Sequence, residues 1–367
     1  AGAAALFDGA AFDAVVAGGG LAGAAAALNL AAAGMRVAIV EPTGALGREI
    51  ARGRNLFADL PVHADRSPSI RAFLDALRER GGWFDGAMDP IAAAIAWDDL
   101  MERRGVRVLF DVHPAGVMVD GRRVAGLTVV TKTGYGWIRA PRVVDATVYG
   151  KPSAPWFRRW EPDADAPRRT VLHLMFNSVA GDGTAEDITL AADAIADTGT
   201  GAGAGMDLGE LRVRCRPTYW EGERRVTLTC DRLVPRSAWI RNLPSLIPAL
   251  QRPIPALKTG IFACAAEEVW RTPEFRTAAA ADGRRLGFVQ GADGRPHALT
   301  LGMVADPAVV AGLYLAGPWL AQFPFDPLQE EAALVNLFLL GDAVGRALLG
   351  TTDADGSQDA RAADQPS

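Results

Sequence analysis

The sequence contains little cysteine and little histidine, three and four residues among 367. The cysteines, Cys215, Cys230 and Cys264, are odd in number and form no Cys-x-x-Cys pair, so we expect neither a disulfide framework nor a redox-active cysteine pair. The histidines are scattered without the spacing of metal ligands, and we expect no metal site. Unpaired cysteines of this kind are typical of buried thiols in a reducing compartment, so we expect a cytoplasmic protein.

The sequence also lacks an excess of positive charge. Its formal net charge is −5, and its Lys and Arg residues form no basic stripe. We therefore expect no nucleic acid and no anionic membrane surface as a partner, and we expect a small-molecule substrate. With 49% hydrophobic and 22% charged residues, the chain has the composition of a globular protein with two domains, or with one domain and an inserted lobe.

A long run of large apolar side chains is absent as well. Residues 14–34 contain a single polar residue, Asn29, but they consist mostly of Ala and Gly. Three successive glycines interrupt this stretch and no basic region precedes it, so we predict neither a signal peptide nor a membrane-spanning helix there. No other stretch reaches the roughly 20 continuous apolar residues that a spanning helix needs.

A glycine motif near the start is the most informative feature that the chain does have. It reads Gly18-Gly19-Gly20-Leu21-Ala22-Gly23, with an apolar stretch before it and an alanine-rich stretch after it. In a nucleotide-binding unit such glycines allow a tight turn, let a diphosphate approach the main chain, and pack the helix against the strand. The N–H groups at the helix start and the helix dipole attract the phosphates.

The surroundings of the motif strengthen this interpretation. We predict a strand before the turn, a helix over residues 21–33 with Gly34 as its C-cap, and a second strand over residues 35–40. Glu41 follows that strand, next to Pro42, and is placed to accept a ribose hydroxyl. A glycine turn that serves only close packing is the alternative, but each element falls where dinucleotide binding requires it.

The remaining chain shows a regular order of patterns. Helical spacing over residues 69–80 and from Asp89-Pro90 to about residue 104 is followed by a meander of strands at residues 106–110, 117–119 and 124–131, and by a strand at residues 141–147. An inserted sheet is expected between about residues 161 and 305, with strands at residues 170–177, 211–219 and 225–233. Residues 260–270 fit a helix or a strand. A buried strand at residues 312–319, a helix from about residue 327 to 349 and a disordered tail at residues 351–367 complete the prediction.

Together these blocks resemble the FAD-dependent oxidoreductases of the glutathione-reductase-like flavoprotein superfamily, with most similarity in pattern to the bacterial group related to fumarate reductase flavoproteins. The resemblance implies an α/β fold. It implies a Rossmann-like FAD-binding domain, residues 1–155 and 306–350, with an inserted mixed or antiparallel β-sheet substrate domain, residues 156–305.

The resemblance also implies FAD as the cofactor and assigns its contacts. The glycine motif and Glu41 hold the ADP half, a backbone group of Val112 meets the adenine edge, and Ala146 belongs to a second turn near the pyrophosphate. Gly317 lies on the strand beside the ribityl chain, and N–H groups near Leu328 point at the flavin pyrimidine. The implied cofactor-binding residues are Gly18, Gly20, Leu21, Ala22, Gly23, Glu41, Pro42, Arg48, Val112, Ala146, Gly317 and Leu328.

Arg48 is included because its loop follows the second strand, where related enzymes approach the pyrophosphate, and because a guanidinium can bridge phosphate oxygens. Two positions depart from the family pattern. Gly317-Pro318 stands where many members have Gly-Asp, and Thr147-Val148 stands where the family tends to have glycine after the threonine. A similar Gly341-Asp342 pair lies deep in the predicted final helix.

A flavin performs hydride or one-electron transfer itself, so no acid–base triad needs to be visible, and we assign no catalytic residue. The expected function is an FAD-dependent oxidoreductase acting on a small organic metabolite. An NAD(P)-dependent dehydrogenase is one alternative, and a non-catalytic subunit with a degenerate flavin site, assembled with another chain or with itself, is another. Candidates to line a substrate pocket or to contact the flavin ring are Trp156, Arg158, Arg159, Trp160, Arg216, Tyr219, Trp220, Phe323, Pro324 and Phe325.

Overall fold

The computed structural model describes residues 4–5, 12–157, 159–160, 168–179, 185–191, 208–291 and 293–350. The tail at residues 351–367, which we expected to be disordered, lies outside the described residues, and so does Arg158.

The helices and strands are numbered in chain order. The helices are α1 Leu21–Ala32, α2 Arg48–Ala51, α3 Leu60–His63, α4 Pro68–Glu79, α5 Pro90–Arg103, α6 Arg236–Gln251, α7 Leu301–Val304 and α8 Glu330–Leu349, with a 3-10 helix at Pro255–Leu257. The strands are β1 Ala4–Ala5, β2 Ala14–Ala17, β3 Val37–Glu41, β4 Trp83–Phe84, β5 Ala87–Met88, β6 Arg107–Phe110, β7 His113–Asp120, β8 Arg123–Thr131, β9 Gly134–Arg139, β10 Val143–Asp145, β11 Arg159–Trp160, β12 Thr170–Asn177, β13 Glu186–Leu190, β14 Leu211–Pro217, β15 Arg224–Cys230, β16 Ile261–Ala265, β17 Trp270–Arg271, β18 Arg276–Thr277, β19 Arg285–Gln290, β20 Pro296–Thr300 and β21 Leu313–Leu315.

A parallel sheet of five strands, in the order β21-β10-β2-β3-β6, carries the glycine motif. Every residue of β2 and β3 is buried, as is typical of a parallel sheet covered on both faces. Ala14 and Val16 face one hydrophobic core, and Val15 and Ala17 face another. Because β21 comes from near the end of the chain, both ends of the sequence build this sheet. The predicted α/β fold is confirmed.

Helices α1 and α8 cross the same face of the sheet and pack closely through small residues. A Cβ atom added to Gly341 would lie 2.4 Å from the carbonyl oxygen of Ala22, so only glycine fits at this contact. A buried polar network joins the helices: Asn29 donates to Asp342 Oδ1 at 2.6 Å, and the Ser67 hydroxyl donates to Asp342 Oδ2 at 2.5 Å. Burial raises the pKa of Asp342. The Asp342 carboxyl group therefore has a structural role, since it links α8 to α1 and to the start of α4.

The second large sheet is antiparallel, with six strands; five of them follow the order β13-β14-β15-β12-β16, and β17 also pairs with β12. One face is apolar: Leu172, Leu174 and Phe176 of β12 pack into a core that includes Trp239 of α6. The opposite face carries polar side chains, and it forms a wall of the candidate site described below. This sheet is the predicted inserted sheet. The exact domain limits stay a prediction.

The structure differs from the sequence expectations at four places. Helix α6 runs through Pro244 and Pro248, in a region for which the sequence analysis assigned no helix. The ambiguous residues 260–270 form strand β16 and the start of β17. The expected strand at residues 312–319 is limited to β21, because the chain turns after Leu315. The last helix begins at Glu330, since Asp326 binds the N–H groups of the preceding turn.

Among the described residues, one helix is long and apolar enough to cross a membrane, namely α8. Of its most apolar window, 72% is buried inside the protein. This burial agrees with its place against α1 and strand β19. A core helix passes the same length and hydropathy test as a membrane span, so α8 is weak evidence for one.

Candidate functional site

The glycine turn joins β2 to α1 with the close contacts that its sequence predicts. Gly18 has a φ of +99°, and a Cβ atom there would lie 2.7 Å from the carbonyl oxygen of Ala146. A Cβ atom on Gly23 would lie 2.0 Å from the carbonyl oxygen of Gly18. The Ala146 N–H donates to Ala17 O at 2.8 Å. The turn, the start of α1 and the end of β10 are thus brought together, and no larger side chain fits between them.

Glu41 lies at the carboxyl end of β3, against this turn, and is 1% exposed. Its Oε2 accepts the Gly19 N–H at 2.6 Å, and its Oε1 accepts the Thr43 N–H at 2.9 Å and the Thr43 hydroxyl at 2.7 Å. The Val112 N–H donates to the main-chain carbonyl of Glu41 at 3.3 Å, so Val112 lies beside the end of β3, where half-buried Pro42 follows Glu41. The role of these residues in an adenosine site stays a prediction.

Another carboxylate, that of Glu49, caps the start of α1. The Leu21 N–H donates to Glu49 Oε2 at 2.9 Å, and Glu49 Oε1 lies 2.5 Å from where a Cβ atom on Gly20 would stand. Glu49 is 8% exposed, and burial raises its pKa despite the nearby guanidinium of Arg48. The carboxylate therefore occupies the position at the helix N-terminus that suits an anion.

Arg48 lies beside this position, and its contact with a phosphate stays a prediction. Its Nε lies 3.2 Å from the Cβ position of Gly20, and its Nη1 donates to Glu268 Oε2 at 2.8 Å. Arg52, one turn further, pairs with Glu267 at 2.9 Å. These ion pairs join α2 to the loop before β17, which belongs to the second sheet. Arg48 can therefore reach an anion at the glycine turn only by exchanging or sharing its carboxylate partner.

A tryptophan fills the space beyond the glycine turn. The Trp319 side chain is 1% exposed, and its Nε1–H donates to Thr147 O at 2.8 Å. A Cβ atom on Gly317 would lie 2.1 Å from Trp319 Nε1, and one on Gly150 would lie 2.7 Å from the indole ring. The expected ribityl position beside Gly317 is thus packed by this indole.

The turn before α8 satisfies its own N–H groups. The Leu328 N–H donates to Asp326 Oδ1 at 3.0 Å, and the Gln329 N–H donates to Asp326 O at 3.0 Å. Asp326 in turn accepts a hydrogen bond from Arg169 at 2.8 Å. Leu328, predicted to contact the flavin, is 37% exposed and faces the cavity described next.

A cavity of about 800 Å³ lies between the polar face of the antiparallel sheet and the start of α8. Strand register places His173, Thr227 and Arg214 side by side across three strands of its wall. Its volume falls in the range of roughly 300–1,000 Å³ that is usual for small-molecule sites. The cavity therefore offers a polar surface next to the lobe that carries the glycine turn.

Arginines line this cavity in alternation along β14, and each has an acidic neighbour. The ion pairs are Arg212–Asp231 at 2.7 Å, Arg214–Asp187 at 2.8 Å and Arg216–Glu331 at 3.7 Å. The Arg216 guanidinium also lies over the Phe57 ring, 3.6 Å from its centroid. Arg225, on β15, is 1% exposed and makes two hydrogen bonds to the carboxylate of Glu330, the first residue of α8.

His173 connects this wall to α2 through a hydrogen-bonded chain. Asn55 donates its amide to Glu49 O at 2.7 Å, so its Oδ1 faces His173 Nε2 at 3.0 Å. Nε2 must then carry the proton, and Nδ1 accepts from the Thr227 hydroxyl at 3.1 Å. Burial, together with the charge of Arg225, lowers the pKa of His173 well below its ordinary value. The ring is therefore neutral.

The other aromatic candidates have mixed positions. Tyr219 stacks on Phe84 with 3.8 Å between ring centroids and hydrogen-bonds Asp89, and Trp220 is 57% exposed; neither is among the residues lining the cavity. Phe325 packs against Trp270 with 5.4 Å between centroids, next to Trp319 and Arg48. Of the pocket candidates named from the sequence, Arg216 alone lines the large cavity among the described residues.

Sequence reasoning missed three residues that shape the site. Glu49 directly follows Arg48 in the segment after β3. An acidic residue next to a predicted phosphate ligand could have indicated from the sequence that a carboxylate lies at the phosphate position. Trp319 directly follows Pro318, which we had noted only as a departure from the family pattern. His173 gave no signal, because β12 is buried on both faces and alternation cannot single out one of its residues.

The residues present fit an adenine dinucleotide in part. The glycine cradle, Glu41 and the start of α1 suit an adenosine and an anion, since a carboxylate already occupies the anion position. The diphosphate and ribityl portions require Glu49 and Trp319 to move. Among the described residues, no group of three or more His, Cys, Asp or Glu side chains is placed to hold a metal ion.

Comparison with known proteins finds one family model that is similar to the first part of the chain. A family model described as FAD dependent oxidoreductase matches residues 13–154, which include the glycine turn, Glu41 and Ala146. A search of curated proteins found no similar sequence.

Solved structures share the fold. The flavoprotein/dehydrogenase from Cytophaga hutchinsonii is 16% identical, with a TM-score of 0.60 over 96% of this chain and 82% of that one. A myxobacterial chondrochloren halogenase is 16% identical, with a TM-score of 0.57 over 94% and 76%. The anhydrotetracycline hydroxylase from Streptomyces rimosus is 12% identical, with a TM-score of 0.56 over 94% and 64%. At these identities the likeness concerns the fold. The chain therefore shares the fold of these flavoproteins, and its residues 13–154 match the model of the FAD-dependent oxidoreductases.

Proposed function

We propose that the chain oxidises or reduces a small organic metabolite, which binds in the cavity of about 800 Å³ between the antiparallel sheet and the start of α8. That cavity is the observation that carries the proposal, because it adjoins the lobe that matches the FAD-dependent oxidoreductases. Bound FAD supplies the hydride or electron transfer. The names of the similar structures, a dehydrogenase, a halogenase and a hydroxylase, agree with flavin redox chemistry.

The chain's own residues take binding and positioning roles in this proposal. The glycine turn and Glu41 hold the adenosine end, and Arg48 is a candidate partner for the diphosphate. The Thr227 hydroxyl, which donates its proton to neutral His173, offers its oxygen as a hydrogen-bond acceptor on the cavity wall, and the arginines of β14 exclude apolar molecules from its rim. The narrower relationship to fumarate reductase flavoproteins rests on the sequence blocks alone.

We further propose a cytoplasmic location, following the unpaired cysteines. Burial raises the pKa of Cys215 to about 11, so this thiol is protonated at neutral pH, as expected for a buried cysteine. We also propose that the chain associates with a second copy or with a partner subunit. Light scattering of the purified protein, which gives its molar mass in solution, tests this association.

The test begins with the purified protein incubated with FAD, desalted and then denatured. We expect chromatography of the released nucleotide to find FAD at about one per chain, given a single glycine-turn site. Anaerobic addition of NADH or NADPH, followed by oxygen, should bleach and restore the flavin absorption band. A protein that retains no FAD after reconstitution would rule the proposal out.

A non-catalytic subunit with a degenerate flavin site is the second candidate. It is favoured by the packing of Trp319 against Gly317 and by Glu49 at the start of α1. This candidate predicts no retained flavin together with a stable complex, measured as an increase in mass by light scattering when candidate partners are added.

A further inference from the structure

The start of α1 is where a dinucleotide fold places its diphosphate, and here a side chain of the same protein occupies it. The Leu21 N–H donates to Glu49 Oε2 at 2.9 Å. The other oxygen, Oε1, lies 2.5 Å from the Cβ position of Gly20, the glycine whose bare face admits a diphosphate. A carboxylate and a diphosphate cannot occupy this position together, since both are anions that require the same N–H group.

Two contacts hold Glu49 in place. Its carbonyl accepts the Asn55 amide at 2.7 Å, which ties α2 to His173 of the second sheet. Its neighbour Arg48 is held by Glu268 at 2.8 Å and comes only within 3.8 Å of the Glu49 carboxylate. The Glu49 carboxylate therefore interacts more closely with the N–H group at the start of α1 than with the Arg48 guanidinium. The surrounding fold therefore fixes the position of Glu49.

We propose that Glu49 is a competing anion that sets the affinity of the chain for FAD: the diphosphate binds α1 only after the Glu49 carboxylate has left. The inference rests on FAD binding as proposed above, and it concerns how tightly the diphosphate is held. If this inference holds, Glu49 lowers the affinity only for ligands that carry phosphate groups. Ligands that carry a diphosphate, FAD and ADP, compete with Glu49, whereas adenosine binds at Glu41 without meeting it.

The test compares dissociation constants for FAD, ADP and adenosine, measured by calorimetry on the wild type and on Glu49→Gln. The glutamine keeps an oxygen that can accept the Leu21 N–H, so the helix cap and the fold are preserved while the charge is removed. We expect Glu49→Gln to bind FAD and ADP about 2-fold to 30-fold more tightly than the wild type, the range that an anion at a helix N-terminus supports. Adenosine should bind both proteins equally.

Glu102→Gln is the matched control, because it removes the same charge from an exposed position on α5. It should leave all three dissociation constants unchanged. Glu49→Ala, checked for folding by circular dichroism, should show the same gain as Glu49→Gln.

If Glu49→Gln binds FAD and ADP no more tightly than the wild type does, the inference is overturned. The proposed function stays intact in that case, provided that the wild type retains FAD. A gain for adenosine as large as that for ADP would also overturn it. If neither protein binds FAD, both the inference and the proposed function fail.

Discussion

The ion pair between Arg225 and Glu330 joins the antiparallel sheet to the start of helix α8, and breaking it should destabilise the fold strongly. The Arg225 side chain is 2% exposed and that of Glu330 13%. Two guanidinium nitrogens donate to the carboxylate, one of them at 2.7 Å, and Nη1 also reaches Arg54 O at 3.2 Å. The guanidinium lies over Phe57, 4.5 Å from the ring centroid.

Glu330→Gln leaves a buried cation without an anion. The cost of removing one partner of a buried pair is about 3–5 kcal/mol, a large share of the roughly 5–15 kcal/mol by which a domain is stable. Arg225→Met should cost a similar amount, because it leaves the carboxylate unpaired. The double variant Arg225→Met/Glu330→Leu should lose less than the sum of the single variants, since it leaves no unpaired charge.

The assay is urea unfolding followed by circular dichroism, with the first transition analysed if the lobes unfold separately. Arg103→Met, which breaks the exposed pair with Glu79, is the control and should leave the midpoint unchanged. Single variants that unfold within about 1 kcal/mol of the wild type, or a strictly additive double variant, would refute the reasoning.

Three further predictions concern the cofactor lobe and the cavity wall. Glu41→Gln should weaken ADP binding by about 10-fold, because it removes the charge that accepts the ribose hydroxyls; unchanged affinity in calorimetry would contradict this role. His173 keeps a depressed pKa in the folded state, so the unfolded chain binds a proton first as the pH falls below 6.5, and the free energy of unfolding should decrease by up to about 1.4 kcal/mol per pH unit. His173→Gln should remove that part of the slope, and identical slopes would show that the ring does not stay neutral. Gly341→Ala should destabilise the α1–α8 contact by about 1–3 kcal/mol in urea unfolding, because its Cβ meets the Ala22 carbonyl. Gly116→Ala, where a Cβ meets nothing within 4 Å, is the control and should be neutral.

Local chemistry made the first lobe predictable from sequence. The helix after the glycine turn ends at Ala32 with Ala33 as its C-cap, and Gly34, which we predicted as the cap, follows one residue later with a φ of +84°. Asp89 accepts the N–H groups of Ile91 and Ala92, so it caps the helix that begins at Pro90. These signals act within a few residues, and they therefore appear in the sequence itself.

Long-range packing could not be predicted in the same way. The place of Glu49 depends on the Asn55 amide and on α2 resting against the loop that contains Glu268. The place of Trp319 depends on two glycines far apart in sequence, Gly150 and Gly317. The helix at residues 236–251 keeps two prolines because burial of residues such as Trp239 and Leu246 outweighs the lost hydrogen bonds. Such contacts arise only once the lobes are folded together.

A crystal structure of the protein grown with FAD would show directly whether the glycine turn binds the cofactor. We predict the diphosphate within hydrogen-bond distance of the Leu21 N–H, the ribose at Glu41, and the Glu49 carboxylate withdrawn from α1. FAD bound elsewhere, or Glu49 still bonded to Leu21 in protein saturated with FAD, would contradict this prediction.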